Sequence, residues 1–114
     1  MRGPWIQISP TVKRQTIAAG ETMSQMAVEL KAGSVLPAHA HVNEQIIHLV
    51  SGKIRVNVDG VEHPVTAGDS LYLKSNVSHG VMVEVDSVVI DTFSPPREDL
   101  LKQDREEMAT TDKR

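Results

Sequence analysis

The chain has 114 residues, 39% hydrophobic and 24% charged, the composition of an ordinary globular protein with enough apolar surface for one core. Its net charge of −3 shows no basic stripe or DNA-binding element, which argues against a nucleic-acid partner. The absence of Cys excludes disulfides and thiolate sites, so any metal must be held by His, carboxylate or amide oxygen. No apolar run approaches membrane-spanning length, and Met1 to Pro10 lacks the pattern of a signal peptide. A single domain over residues 1–114, cytoplasmic and without membrane contact, is the expectation.

The first thirty residues carry few signals besides Thr22 to Leu30, a strand ended by Lys31-Ala32-Gly33. Trp5 to Ile8 reads as a free segment, compatible with a subunit contact, and Met23 and Met26 read as core filler. Gln45 to Val50 is a β-branched run ending at Ser51-Gly52. Lys53 to Val58 alternates polar residues with Ile54, Val56 and Val58, then stops at Asp59-Gly60, a two-residue hairpin signal. Val61 to Thr66 is the returning strand, closed by Ala67-Gly68-Asp69, and further strands are predicted at Ser70 to Leu73, His79 to Val83 and Ser87 to Phe93. Many short strands punctuated by turns predict an all-β sandwich or barrel over about residues 20–94. With Trp5, Tyr72 and Phe93 as the only aromatics, its core must come from Val, Ile, Leu and Met. After Ser94-Pro95-Pro96, a helix is predicted over about 97–108, with Leu100, Leu101 and Met108 as its apolar face and Ala109 to Arg114 frayed.

Within this pattern His39 and His41 are two residues apart, a spacing that puts both imidazoles on one face of a strand. Gln45 opens the next strand with matching parity, and His79 opens a later one. Four such side chains from facing strands can enclose one divalent ion and leave positions open. His48 has the opposite parity and should face outward, and His63 sits on the hairpin return; both read as structural.

The flanking residues sharpen this. Gly33, His39-Ala40-His41, Gln45 and Gly52 resemble the first motif of the cupin superfamily, and Gly68-Asp69, Leu73, Val77 and His79 resemble the second. The resemblance implies a double-stranded β-helix, or jelly-roll, barrel that binds a metal. Lys74 and Asn76 depart from the Pro and Gly usual in the second motif; Asn tolerates the left-handed backbone the turn requires. The fourth ligand is Gln45 or its neighbour Glu44, which cannot both face the metal; the sub-pattern His-x-His-x-x-Glu-Gln favours Gln45. Three imidazoles and an amide would leave the ion's charge uncompensated, suiting an anionic substrate. A Glu44 ligand would instead match a two-histidine-one-carboxylate oxygenase. Ni, Zn, Mn and Fe all remain open as the ion.

Asp91 lies in an otherwise apolar strand, where a carboxylate needs a nearby cation, from the metal or from Arg97. The stretch Asp91-Thr-Phe93-Ser-Pro-Pro-Arg97-Glu-Asp-Leu resembles the C-terminal signature of the small cupins of pectin and alginate breakdown, the KdgF type. That resemblance implies Asp91 as acid/base, Phe93 packing a sugar ring and Arg97 gripping a uronate carboxylate. The expected reaction opens 4,5-unsaturated uronate monomers to linear 5-keto-4-deoxyuronate. The alternatives are a cupin dioxygenase and a non-catalytic cupin that binds a small acid. A homodimer is expected, as small cupins commonly pair through apolar strand faces.

Overall fold

The computed structural model describes residues 2–112. It contains eight strands, β1 (Trp5–Ser9), β2 (Val12–Ala19), β3 (Ser24–Leu30), β4 (Val35–His39), β5 (Glu44–Val58), β6 (Val61–Thr66), β7 (Ser70–Leu73) and β8 (His79–Ser94), followed by helix α1 (Glu98–Asp112). All pairings are antiparallel, in the order β1-β2-β3-β8-β5-β6, with β4 on β8 and β7 on β5.

Strands β5 and β8 pair from Glu44↔Ser94 to Val58↔His79 and are shared by two layers. In one layer Gln45–His48 of β5 pairs with β7, and Ser87–Phe93 of β8 pairs with β3. In the other, Lys53–Val58 of β5 pairs with β6, and the start of β8 pairs with β4. This is a jelly-roll sandwich, all-β with one C-terminal helix. The ladder does not close: β1 and β6 end the path as edges, so the expected barrel encloses its core by folding over rather than by hydrogen-bonded closure.

The fold-over occurs where two separate strands, Gln45 to Val50 and Lys53 to Val58, were expected. They are one strand with slips between Leu49, Ser51, Lys53 and Ile54, which move the buried positions from Gln45, Ile47 and Leu49 to Ile54 and Val56. Gly52 sits at the bend with φ 97°; a Cβ there would run into Ser87 Oγ and come within 2.6 Å of Asp86 O. Only glycine fits both conditions. His79 to Val83 and Ser87 to Phe93 likewise form the single strand β8. The Asp59-Gly60 hairpin is as expected, both residues having positive φ, and Asn76 takes φ 63° in place of a glycine.

The core is aliphatic, with Leu49, Ile54, Val56 and Leu73 essentially inaccessible to solvent. Burying each such side chain contributes about 1.5–3 kcal/mol. Met26 belongs to this interior; Met23 is half exposed because it lies in the turn before β3. The N-terminal segment is not free: Trp5 and Ile6 pair with Gln15 and Arg14 as edge strand β1. Helix α1 runs to Asp112, past the expected end at 108, and residues 113–114 of the expected frayed tail lie outside the described residues. Its attachment is polar as well as apolar, with Leu100 and Leu101 half-buried. Met108 is exposed, whereas Asp104 is buried, receiving Arg14 Nη1 at 3.1 Å and Thr16 Oγ1 at 2.5 Å. Arg14 also donates Nη2 to Leu100 O and Gln103 Oε1, both at 3.0 Å. No helix among the described residues is long and apolar enough to cross a membrane.

Candidate metal centre

His39, His41 and His79 converge, their candidate ligand atoms all within 4.8 Å of one another. The strand argument reaches only part of this arrangement. β4 ends at His39, and His41 lies in the loop that follows. That loop is pinned from the β7–β8 turn, where Asn76 N donates to His41 O at 2.8 Å and Ser75 Oγ to Val42 O at 2.6 Å. His79 enters from the first residue of β8, opposite His39 in register.

Each imidazole is oriented by its own backbone. His39 Nδ1 donates to Pro37 O at 3.2 Å, His41 Nδ1 to Asn43 O at 2.9 Å, and His79 Nδ1 to Val77 O at 3.0 Å. These bonds fix the tautomer that leaves Nε2 as a lone pair. His79 Nε2 is buried with no hydrogen-bond partner. Burial lowers the pKa of both His41 and His79, keeping them neutral and able to ligate near neutral pH.

Gln45 is buried on the same side. Its Nε2 donates to Asp91 Oδ1 at 3.0 Å, which turns Oε1 toward His41 Nε2 at 3.1 Å. With His41 Nδ1 already carrying the proton, two lone pairs face each other there, and a cation between them removes the conflict. The orphaned His79 nitrogen and this acceptor pair both fit a bound divalent ion. Glu44 points the other way, accepting from Tyr72 Oη at 2.8 Å on the exposed face. His48 also faces outward, sharing a 2.8 Å hydrogen bond with Ser70 Oγ, and His63 is half-buried on β6 opposite Val56.

Asp91, Phe93 and Arg97 complete the surroundings. Together with His39, Gln45 and His79 they line one cavity of about 280 Å³ whose other walls are apolar apart from Arg14, including Leu36, Ile47 and Val89. Burial pushes the Asp91 pKa up to about 6, opposed by the Gln45 hydrogen bond and by the charge of Arg97. Phe93 is buried, its ring edge-on to His41 at 5.8 Å and its face 5.0 Å from the Arg97 guanidinium carbon. A larger, more open groove near Lys13, Lys31 and Asp86 has no comparable convergence.

The sequence did not reveal Asn43, which stitches these parts together. Its carbonyl holds His41, and its buried side-chain amide donates to Pro95 O at 2.6 Å and Pro96 O at 3.2 Å, just before Arg97. A polar residue in a turn gives no sign of such a role.

A family profile for the cupin domain matches residues 26–91, which contain the three histidines, Gln45 and Asp91. The chain is a cupin. It is 32% identical over 100 residues to the pectin degradation protein KdgF of Dickeya dadantii, covering 86% of this chain and 91% of that protein, and so belongs with the KdgF proteins. The structure of KdgF from Halomonas sp. superposes with a TM-score of 0.80 at 30% identity, covering 85% of this cupin and 90% of that chain. An RmlC-like cupin from Shewanella frigidimarina gives a TM-score of 0.82 at 35% identity, covering 86% and 88%.

Proposed function

We propose that this cupin binds one divalent ion through His39, His41, Gln45 and His79 and opens 4,5-unsaturated uronate monomers to linear 5-keto-4-deoxyuronate. The observation that carries the reading is the convergence of an imidazole cluster, a desolvated carboxylic acid, an aromatic face and an arginine in one cavity. The kinship with pectin degradation proteins supports a sugar acid as the ligand.

The reaction is an isomerisation. A proton leaves the anomeric hydroxyl, the bond from C1 to the ring oxygen breaks, and a proton arrives at C4 as the enol at C5 becomes a ketone. Bound ion in this site supplies a positive centre that polarises the substrate's oxygens. Arg97 binds the carboxylate through its planar guanidinium. Phe93, under the Arg97 guanidinium, packs at the cavity wall beside the ring, and the apolar walls limit water. Asp91 carries the proton between substrate oxygen and C4, its carboxyl held in place by Gln45 Nε2. An enzyme with these parts needs no nucleic acid or membrane partner. Ile46 and Tyr72 are exposed and adjacent in register on the outer sheet face, where a second copy would pack; light scattering at micromolar concentration tests this homodimer.

The test follows ultraviolet absorbance of the C4=C5 bond in monomers released by pectate and alginate lyases, with wild type and Asp91→Asn loaded with Ni, Zn, Mn or Fe in turn. The reading requires loss of absorbance above the spontaneous rate, abolished in the variant. Metal-loaded wild type that leaves the absorbance at the spontaneous rate refutes it.

A further inference from the structure

The guanidinium expected to grip the substrate already holds a carboxylate. Arg97 donates Nε to Asp99 Oδ1 at 3.0 Å and Nη2 to Asp99 Oδ2 at 2.9 Å, a two-point pair. The two partners differ in exposure: the Arg97 side chain is 15% exposed and that of Asp99 is 63% exposed. Asp99 lies in the first turn of α1, outside the residues that line the cavity, and hydrogen bonding from Arg97 lowers its pKa.

A guanidinium has two forks, one between Nε and Nη2 and one between Nη1 and Nη2. Asp99 occupies the first. In the second, Nη1 and the remaining Nη2 hydrogen have no partner among the described residues, on a side chain that lines the cavity and lies over Phe93. The long Arg side chain would otherwise sample many rotamers, and ordering it on binding would cost affinity. The Arg97 backbone is held as well, its N–H donating to the buried Ser24 Oγ at 3.2 Å.

We infer that Asp99 is a positioning residue for substrate recognition: it clamps the Nε–Nη2 side of Arg97 so that the Nη1–Nη2 fork is presented, pre-ordered, to a ligand carboxylate. This rests on the reading of Arg97 as the carboxylate grip. The opposite role, Asp99 as a competitor that must be displaced, predicts the opposite sign.

The probe is galacturonate, a saturated uronate, titrated calorimetrically into metal-loaded protein with galactose as the uncharged control; KM and kcat for the unsaturated monomer are measured alongside. Asp99→Ala is expected to raise the galacturonate Kd and the KM about fivefold. The response to galactose, kcat and metal content should stay at wild-type values, and Asp99→Glu should recover part of the loss. Unchanged or tighter galacturonate binding in Asp99→Ala overturns the inference, as does an effect that follows lost metal. Wild type that prefers galacturonate no more than galactose also overturns it. If wild type binds galacturonate through this pair but leaves the unsaturated monomer intact, only the assigned reaction fails.

Discussion

Arg14, Thr16 and Asp104 form one buried polar cluster; His39, His41, Gln45 and His79 form another, and the two resolve their polarity differently. In the first, a cation meets an anion at 3.1 Å, Thr16 and Gln103 take up further bonds, and Nε of Arg14 is the atom left without a partner. In the second, every Nδ1–H is tied to a carbonyl while the Nε2 atoms gather with nothing to donate to them. A neutralised network locks a helix to a sheet. A set of converging lone pairs is half of an interaction whose other half is a cation.

Breaking the first cluster should give the largest effect on folding. Asp104→Ala leaves Arg14 buried without its counter-charge and is expected to cost about 3–5 kcal/mol in a denaturant melt. Arg14→Met combined with Asp104→Leu should recover most of that loss, showing that the pair matters through its completeness rather than its charge.

Asp91 belongs to the second cluster, and its pH dependence separates the two. Its pKa is raised to about 6 by burial, so the folded state holds the proton more tightly than the unfolded chain. Its contribution to stability is therefore full below the unfolded value and is lost as pH rises through about 6. In metal-free protein Asp91→Asn should gain stability over wild type between about pH 4 and pH 8, by up to about 3 kcal/mol. His41 and His79, lowered by burial, act in the other direction, destabilising the fold as pH falls below 6.5, but equally in both proteins. A difference that stays flat with pH contradicts a desolvated Asp91.

Metal addition should stabilise the second cluster only. At about a hundredfold excess over Kd, wild type should gain about 2.7 kcal/mol, visible as a raised melting temperature, and His79→Ala should gain nothing. Asn43→Ala removes the ties to Pro95 and Pro96 and should cost about 1–2 kcal/mol by melting, with weaker substrate binding through Arg97. His48→Ala, outside both clusters, should change stability by less than about 0.5 kcal/mol and leave metal content intact.

Much of this was legible along the chain. Alternation with Asp59-Gly60 located the β5–β6 hairpin because a two-residue turn and period-2 strands are local properties. Parity placed Gln45 and Glu44 on opposite sides of the strand, as they are, while the choice of Gln45 as the inward one came from the resembling sub-pattern. What failed to show were β1 and β2. The inward positions of β2 include Arg14 and Thr16, so it lacks the apolar alternation by which a strand is recognised, and the edge strand β1 buries no residue. Leu100 and Leu101 did mark the packed side of α1, but Met108 is exposed and the polar anchor Asp104 gave no sign in the sequence.

By itself, then, the sequence determined the residue types of the site, their order and an all-β sandwich or barrel, because turn chemistry and side-chain alternation act over a few residues; the jelly-roll came from the resemblance of its motifs to cupins. Only the tertiary structure decided that the loop after β4 turns His41 toward His79, that Asn43 ties that loop to the segment before Arg97, and that Asp99 holds one side of the guanidinium. Those contacts depend on hydrogen bonds to particular backbone and side-chain groups, several of them far apart in the chain, and their direction is set once the two long strands have folded over.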